Sequence, residues 1–395
     1  MMESAFRRVS GSDLGQQSAE GATTMSIAFM DLKTQYQGLG KNVLERLEAI
    51  LEHGRYCQGP EVSELEAKLA EFTNTRFVLG CSSGTDALLI PLMAYGVGPG
   101  DAVFTSTFTF FATAEVVSLL GATPVFVDIE EDSFNLDPVK LQEAVARVKA
   151  EGKLRPRGII AVDIFGLPAD YDAIAPIAEA DDMFVIEDGA QSLGGHYKSR
   201  PVGSLGHVAA TSFYPSKPLG CYGDGGAIFT NDKKLAEIMT SIRVHGQGSD
   251  KYNNVRLGIN GRLDSFQGAV LLAKLPSFPA ELDARNAVAA RFNAELKGVG
   301  LPLLPEKSRC AWALYTIRSQ RRDALMAHLA SHAVPSGIYY GRCLHLQDAF
   351  ANLGYKQGDL PVAEAACEQV LSLPMHPFLT EEHLATIIAA VNSFT

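Results

Sequence analysis

Between residues 40 and 240 the chain alternates short apolar runs with longer stretches of helical periodicity, and this alternation restricts the fold more than any other feature. Helical spacing is read over 43–51, 61–72 and 138–150. Apolar runs of strand length occupy 77–79, 102–105, 125–128, 158–162, 183–187 and 227–230. The pattern predicts an α/β fold, a mostly parallel sheet covered by helices on both faces. Ligands then bind beyond the C-terminal ends of the strands. After about residue 250 the character changes. Helices over 262–274, 279–297, 322–331 and 381–392, with a strand over 312–318, predict a smaller α+β domain. The expected organisation is an N-terminal extension over 1–24, a large domain over 25–250 and a small domain over 251–395.

A chain of 395 residues with 47% apolar content can bury two cores. Its net charge of −11 argues against nucleic acid or an acidic membrane as partner. Cysteines 57, 81, 221, 310, 343 and 367 form no CxxC pair and no short His/Cys spacing, so they read as reduced thiols of a cytoplasmic protein, with no metal site. The most apolar window, 108–127, contains Glu115 and is interrupted by Gly121-Ala-Thr-Pro124; it reads as a helix of about a dozen residues and a strand, not as a membrane span. The first 24 residues lack the apolar centre of a secretory signal. They read as a disordered extension, with Met25 a possible natural start.

Two positions carry the chemistry. Lys217 ends the stretch Thr211-Ser-Phe-Tyr-Pro-Ser-Lys217, between prolines and ahead of Gly220, Gly223, Gly225 and Gly226. A lysine held there sheds its proton more easily and can act as nucleophile and base; the alternative is a solvated surface lysine. Asp188 follows the apolar run 183–186 in Glu187-Asp-Gly-Ala-Gln191, just beyond a buried strand. An acid there can hold the ring nitrogen of pyridoxal phosphate protonated, which makes the ring an electron sink; it could equally cap a helix. In Cys81-Ser-Ser-Gly-Thr-Asp-Ala-Leu88 a strand passes into a helix through small polar residues. The free N–H groups of a helix N-terminus suit a phosphate, here through Gly84, Thr85 and the backbone N–H of Asp86, although an ordinary capped helix fits the same residues. Phe108, Phe110 and Phe111 each could stack on a cofactor ring. The 220–226 turn lacks the Lys-Ser/Thr ending of a nucleotide-binding loop.

Together with Gly54-Arg-Tyr-Cys-Gln-Gly-Pro60, Thr107-Phe-Thr-Phe-Phe-Ala-Thr113 and Pro374-Met-His-Pro377, these motifs resemble the DegT/DnrJ/EryC1/StrS sugar aminotransferases, over about residue 27 to the C-terminus. The resemblance implies the aspartate-aminotransferase fold of pyridoxal phosphate enzymes. It places the cofactor on Lys217, its pyridine nitrogen on Asp188, its 3-hydroxyl near Gln191 and Phe110 over its ring. Ser212 and the backbone around Gly84 and Thr85 would hold the phosphate. It also implies a homodimer with active sites at the interface, Asn260 of the partner chain reaching the phosphate.

The run 213–232 is most similar to enzymes that aminate C3 of UDP-2-acetamido-2-deoxy-3-oxo-glucuronate, with L-glutamate as donor, in amino-sugar biosynthesis for surface polysaccharides. In those relatives an arginine matching Arg262 meets the sugar carboxylate, a bidentate contact suited to a uronate; pairing with Asp264 is the structural alternative. Tyr340, His345 and His376 are expected near the substrate, the histidines equally fitting structural roles. Two positions depart from the common pattern: Gly189 stands where alanine is frequent, and Gly341 where proline is. Alternatives are C4 amination of a 4-keto-6-deoxy sugar nucleotide and a non-catalytic ligand-sensing module. A deoxygenating dehydratase would carry histidine in place of Lys217.

Overall fold

In the computed structural model, which describes residues 27–250 and 252–394, the alternating segments form one seven-stranded sheet. The expected extension over 1–24 lies outside the described residues. The strands are β1 (Phe77–Cys81), β2 (Asp101–Ser106), β3 (Thr123–Val127), β4 (Arg155–Val162), β5 (Phe184–Asp188), a small hairpin of β6 (His196–Tyr197) and β7 (Arg200–Pro201), β8 (Val208–Ser212) and β9 (Gly226–Thr230). The sheet order is β1-β9-β8-β5-β4-β2-β3. Neighbours from β3 to β8 pair in parallel, whereas β9 runs antiparallel to both β8 and β1. The mostly parallel sheet expected from the alternation is therefore present, with one reversed strand near its edge.

Helices intervene as α1 (Leu32–His53), α2 (Pro60–Thr73), α3 (Gly84–Ala94), α4 (Ala112–Leu119), α5 (Pro138–Glu151), α6 (Tyr171–Ala180), α7 (Lys233–Ile242) and α8 (Ser265–Lys274). Their ends follow from local chemistry. Helix α5 starts on Asp137, whose side chain accepts from Val139 N and Lys140 N, has Pro138 in its first turn, and stops at Gly152 with φ 64°. Strand alternation then assigns the helices to faces. Leu79, Val103, Ile160, Ile186, Val208 and Ile228 point to α3, α4 and α7. Phe104, Val125, Ile159 and Val185 meet α5 and α6, while Val78, Ala209 and Phe229 meet α2 and α8.

A second core surrounds the antiparallel pair β10 (Tyr315–Arg318) and β11 (Val370–Leu373). Tyr315, Ile317, Leu371 and Leu373 pack against α9 (Phe278–Glu295), α10 (Arg322–Ser331) and α12 (Glu381–Asn392), and α11 (Pro361–Gln369) leads into β11. Among the described residues no helix is long and apolar enough to cross a membrane. The window 108–127 resolves into α4 and β3, α4 being shorter than expected.

Several boundaries differ from the sequence expectation for identifiable reasons. Helix α1 begins eleven residues earlier, at Leu32, because Asp31 caps it; it is mostly exposed, so its first half carries no apolar stripe. Residues 262–264 stay extended ahead of α8, since Cys81 bridges Arg262 and Ser82 N–H donates to Gly261 O at 3.2 Å. The strand expected from Trp312 starts at Tyr315, because Trp312 has φ 49°. Strands β8 and β11 were not expected as such; Val208-Ala-Ala-Thr-Ser212 is too short and polar to announce one.

Gly158 on β4 lies beneath Phe184, whose ring stacks on Tyr95 with centroids 4.1 Å apart. A Cβ there would fall 2.1 Å from the Phe184 ring. Gly158→Ala is expected to lower stability by about 1–3 kcal/mol through this overpacking, measured as the shift in urea midpoint at unchanged slope.

Candidate active site

The carboxyl ends of β1, β2, β5 and β8 lie at one edge of the sheet, and the chain leaving each of them lines a cavity of about 560 Å³. β1 leads into α3, presenting Ser83, Gly84 and Thr85; the segment after β2 brings Phe110 and Thr113. β5 ends on Asp188 and continues to Gln191. β8 ends on Ser212, the loop after it carries Lys217, and Tyr340 closes one wall. A larger groove of about 730 Å³ lies between α5 and α6. It is walled mainly by residues such as Pro138, Val145 and Ile177 and has no converging set of polar groups.

Asp188 is buried, with two short-range partners. Thr113 Oγ1 donates to its Oδ2 at 2.9 Å and Ala190 N–H to its Oδ1 at 3.3 Å. Burial pushes its carboxyl above the usual range, opposed by those hydrogen bonds and by the Lys217 charge. Burial likewise pushes the Lys217 ammonium below the usual lysine range, opposed by Asp188. The two are therefore electrostatically linked across a poorly solvated space, and each favours the charged form of the other.

Two further acids lie beside Asp188. Asp163, just after β4, accepts from Ala169 N–H, Tyr171 OH and Ser192 Oγ at 2.7–2.9 Å, and its own N–H donates to Asp188 O at 3.1 Å. Burial raises its pKa to about 7. Glu187 points to the opposite face, accepting from Gly203 N–H at 2.7 Å and Leu205 N–H at 2.8 Å, with its pKa raised to about 8 by burial and then by the Asp163 charge. The acid beside Lys217 is Asp188.

At the other end of the cavity α3 opens with Ser83 as its cap, the Ser83 side chain accepting from Asp86 N–H at 3.0 Å. Gly84 is a requirement of the place: a Cβ on it would fall 2.6 Å from Ser212 Cβ. The first amides of α3 and the Ser212 hydroxyl thus share one corner. Phe110 is 56% exposed at the rim, with its ring centroid 6.5 Å from that of Tyr340. Gln191 is fixed at both ends, Oε1 accepting from Phe165 N–H at 2.8 Å and Nε2 donating to Tyr340 OH at 3.2 Å.

Of the residues singled out in the sequence, Lys217, Asp188, Gly84, Thr85, Phe110, Gln191, Ser212 and Tyr340 line this cavity and five others do not. Asp86 was expected to offer its N–H to a phosphate; that N–H is taken by Ser83, and its carboxylate accepts from the Ser82 hydroxyl. His345 is buried between Thr107 Oγ1 (2.8 Å) and Glu364 Oε1 (3.1 Å), both ring nitrogens engaged. His376 is buried beside Ala28 O, 3.2 Å from its Nε2. Both histidines are therefore packed away from the cavity. Asn260 is exposed and Arg262 partly buried, on the extended segment ahead of α8.

Sequence reasoning gave no role to Thr113 or Asp163. An acid directly after the apolar run 158–162 was a readable signal for Asp163, the same one that marked Asp188. Asp224, Tyr214, Ser216 and Tyr339 also line the cavity; only their spacing from Lys217 and Tyr340 hinted at it.

A family model described as the DegT/DnrJ/EryC1/StrS aminotransferase family matches residues 37–392. The chain is 45% identical over 369 residues to a UDP-2-acetamido-2-deoxy-3-oxo-D-glucuronate aminotransferase of Pseudomonas aeruginosa, covering 93% of this chain and 100% of that one. The crystal structure of a DegT DnrJ EryC1 StrS aminotransferase from Brucella abortus, 49% identical, matches with a TM-score of 0.91 over 93% of this chain and 99% of the other. The structure of ntda from Bacillus subtilis with bound cofactor PMP is 29% identical, with a TM-score of 0.82 over 90% of this chain and 81% of that one.

His376 supplies a pH test of its structural placement. Burial pushes its pKa down to about 4, so the folded chain keeps it neutral while the unfolded chain protonates it near 6.5. A depressed folded pKa means that stability is retained above pH 6.5 and lost as pH falls toward 4, by up to about 3 kcal/mol. His376→Gln, which keeps a donor for Ala28 O, is expected to flatten this part of the pH–stability curve in urea unfolding. An unchanged slope would place His376 in a solvated site instead.

Proposed function

The chain belongs to the DegT/DnrJ/EryC1/StrS aminotransferase family, and from that premise we propose that it transfers an amino group from L-glutamate to C3 of UDP-2-acetamido-2-deoxy-3-oxo-glucuronate. Family membership itself supports the coarser activity, amino transfer to nucleotide sugars with pyridoxal phosphate. The observation that carries the proposal is the linked pair Lys217 and Asp188 in one cavity that also receives the first amides of α3. The particular sugar rests on the 45% identical relative and on Arg262.

The donor set fits pyridoxal phosphate: one amine, one buried acid, a helix N-terminus opened by a glycine, and an exposed aromatic ring. When bound, that cofactor supplies a carbon that takes up amino groups and a protonated ring that withdraws electrons. Asp188 would hold the proton of the ring nitrogen, kept in place by Thr113. Ser212 Oγ with the Gly84 and Thr85 amides would bind the phosphate, and Phe110 would shield the ring from water. Lys217 Nζ would hold the cofactor, and once released would take the proton from the donor's Cα and return it at the acceptor. Its burial suits this work, because a lysine amine can accept a proton only when neutral.

Asn260 and Arg262 do not line the cavity of their own chain, which supports a homodimer in which this segment serves the partner's site. Leu257, 89% exposed, and Val255, 53% exposed, lie on the same segment. Such an apolar surface favours burial against a second copy. An arginine delivered this way could grip the uronate carboxylate with two parallel hydrogen bonds.

Adding glutamate to the purified holoenzyme is expected to remove its visible absorbance and release 2-oxoglutarate; the 3-oxo uronate sugar should restore the absorbance and yield the 3-amino product. Absorbance that returns only with 4-keto sugars would overturn the C3 assignment. Lys217→Ala is expected to abolish both half-reactions in a folded protein. Arg262→Gln is expected to raise KM for the uronate sugar about tenfold or more while leaving the glutamate half-reaction intact. Leu257→Asp is expected to halve the mass seen by light scattering and to depress activity with it.

A further inference from the structure

The turn over 220–226 follows the Lys217 loop and is tied down along its length, with Tyr222 and Asp224 its exposed residues. Lys274 is buried and its Nζ donates to Gly220 O at 2.6 Å, with the ammonium 4.3 Å from the Tyr222 ring centroid. Tyr222 N–H donates to Gln267 Oε1 at 2.9 Å, and Phe213 N–H donates to Gly225 O at 2.8 Å. Packing dictates the glycines. An added Cβ would lie 2.9 Å from Gln267 Nε2 at Gly223, 3.1 Å from Leu263 at Gly225 and 2.4 Å from Ser83 O at Gly226. Between Gly223 and Gly226 the turn offers one side chain, Asp224, and Asp224 lines the cavity.

Asp224 is exposed there, and no hydrogen bond or ion pair reaches its carboxylate among the described residues. It shares the cavity lining with Lys217 and Asp188. A carboxylate in that position repels phosphates and the two carboxylates of glutamate. It accepts hydrogen bonds from O–H and N–H donors, and the ring of an acetamido sugar carries both. An acid with no structural partner, displayed on a scaffold that fixes its position, meets the requirement for a recognition group.

Resting on the sugar-nucleotide reading above, we propose that Asp224 is a specificity-determining residue that accepts a hydrogen bond from a hydroxyl or amide N–H of the acceptor sugar. It would act in the sugar half-reaction and have no part in the glutamate half-reaction. Tight holding of the turn fixes the carboxylate before the sugar arrives, which limits the entropy lost on binding.

The test uses holoenzyme of the wild type, Asp224→Ala and Asp224→Asn. The probe is UDP-2-acetamido-2-deoxy-glucuronate, whose 3-hydroxyl cannot react. Calorimetry is expected to show its affinity falling about tenfold or more in Asp224→Ala, with Asp224→Asn between the two because it keeps an oxygen acceptor. The rate of the glutamate half-reaction, followed by absorbance, is expected to stay within about twofold of the wild type, since no lost contact touches it. Unchanged sugar affinity in Asp224→Ala, failure of the wild type to bind the probe, an equal loss in the glutamate half-reaction, or loss of the dimer by light scattering would each overturn the assignment. If glutamate leaves the wild-type absorbance unchanged, the transaminase reading fails separately, and the affinity comparison still decides Asp224.

Discussion

An acid and a lysine brought together where water is scarce set the terms for everything else in this molecule. Asp188 and Lys217 are both pushed toward neutrality by burial, and each is the other's opposing charge. Such a pair costs stability in a core built only for packing. It persists because β5 and β8, adjacent and parallel, deliver Asp188 at the end of one strand and Lys217 on the loop that follows the other. The alternation of apolar runs and helices that fixes the sheet therefore also fixes which residues can meet at its edge.

The supporting contacts follow from that requirement. Thr113 and Ala190 keep the Asp188 oxygens in place, and Asp163 anchors the Asp188 carbonyl through its N–H while Ser192 and Tyr171 satisfy its own carboxylate. Glu187, one residue earlier, faces the other side of the sheet and ties the 203–205 turn to β5. Its neighbour relation to Asp188 is a consequence of strand alternation: one acid serves the cavity, the other the scaffold. On the far wall, Gly84 lets α3 approach Ser212, so the amides of a helix N-terminus and a hydroxyl occupy one corner without a basic side chain.

Much of this was legible in the residues. Apolar runs bounded by turn residues located six of the seven sheet strands, and β8 escaped because its alanines and polar residues carry no strand signature outside the sheet. Asp188 stood out because it closes an apolar run of strand length, and Lys217 because prolines and glycines frame it. What sequence could not supply was the direction of each side chain in three dimensions. His345 and His376 looked like polar residues near a substrate loop, yet Glu364 and Ala28, distant or unremarkable in sequence, meet their Nε2 atoms. Asp86 looked available until Ser83 was seen to cap its helix. Asp224, hidden among glycines, became conspicuous only when packing against Gln267, Leu263 and Ser83 explained every glycine around it.

The most direct test of the central claim is chemical trapping. Purified protein loaded with pyridoxal phosphate would be treated with borohydride, digested, and its peptides weighed by mass spectrometry. The pairing of Lys217 with Asp188 predicts one peptide bearing the reduced cofactor, with the added mass on Lys217, and much weaker loading in Asp188→Ala. Cofactor fixed on another lysine, or loading indifferent to Asp188, would contradict it.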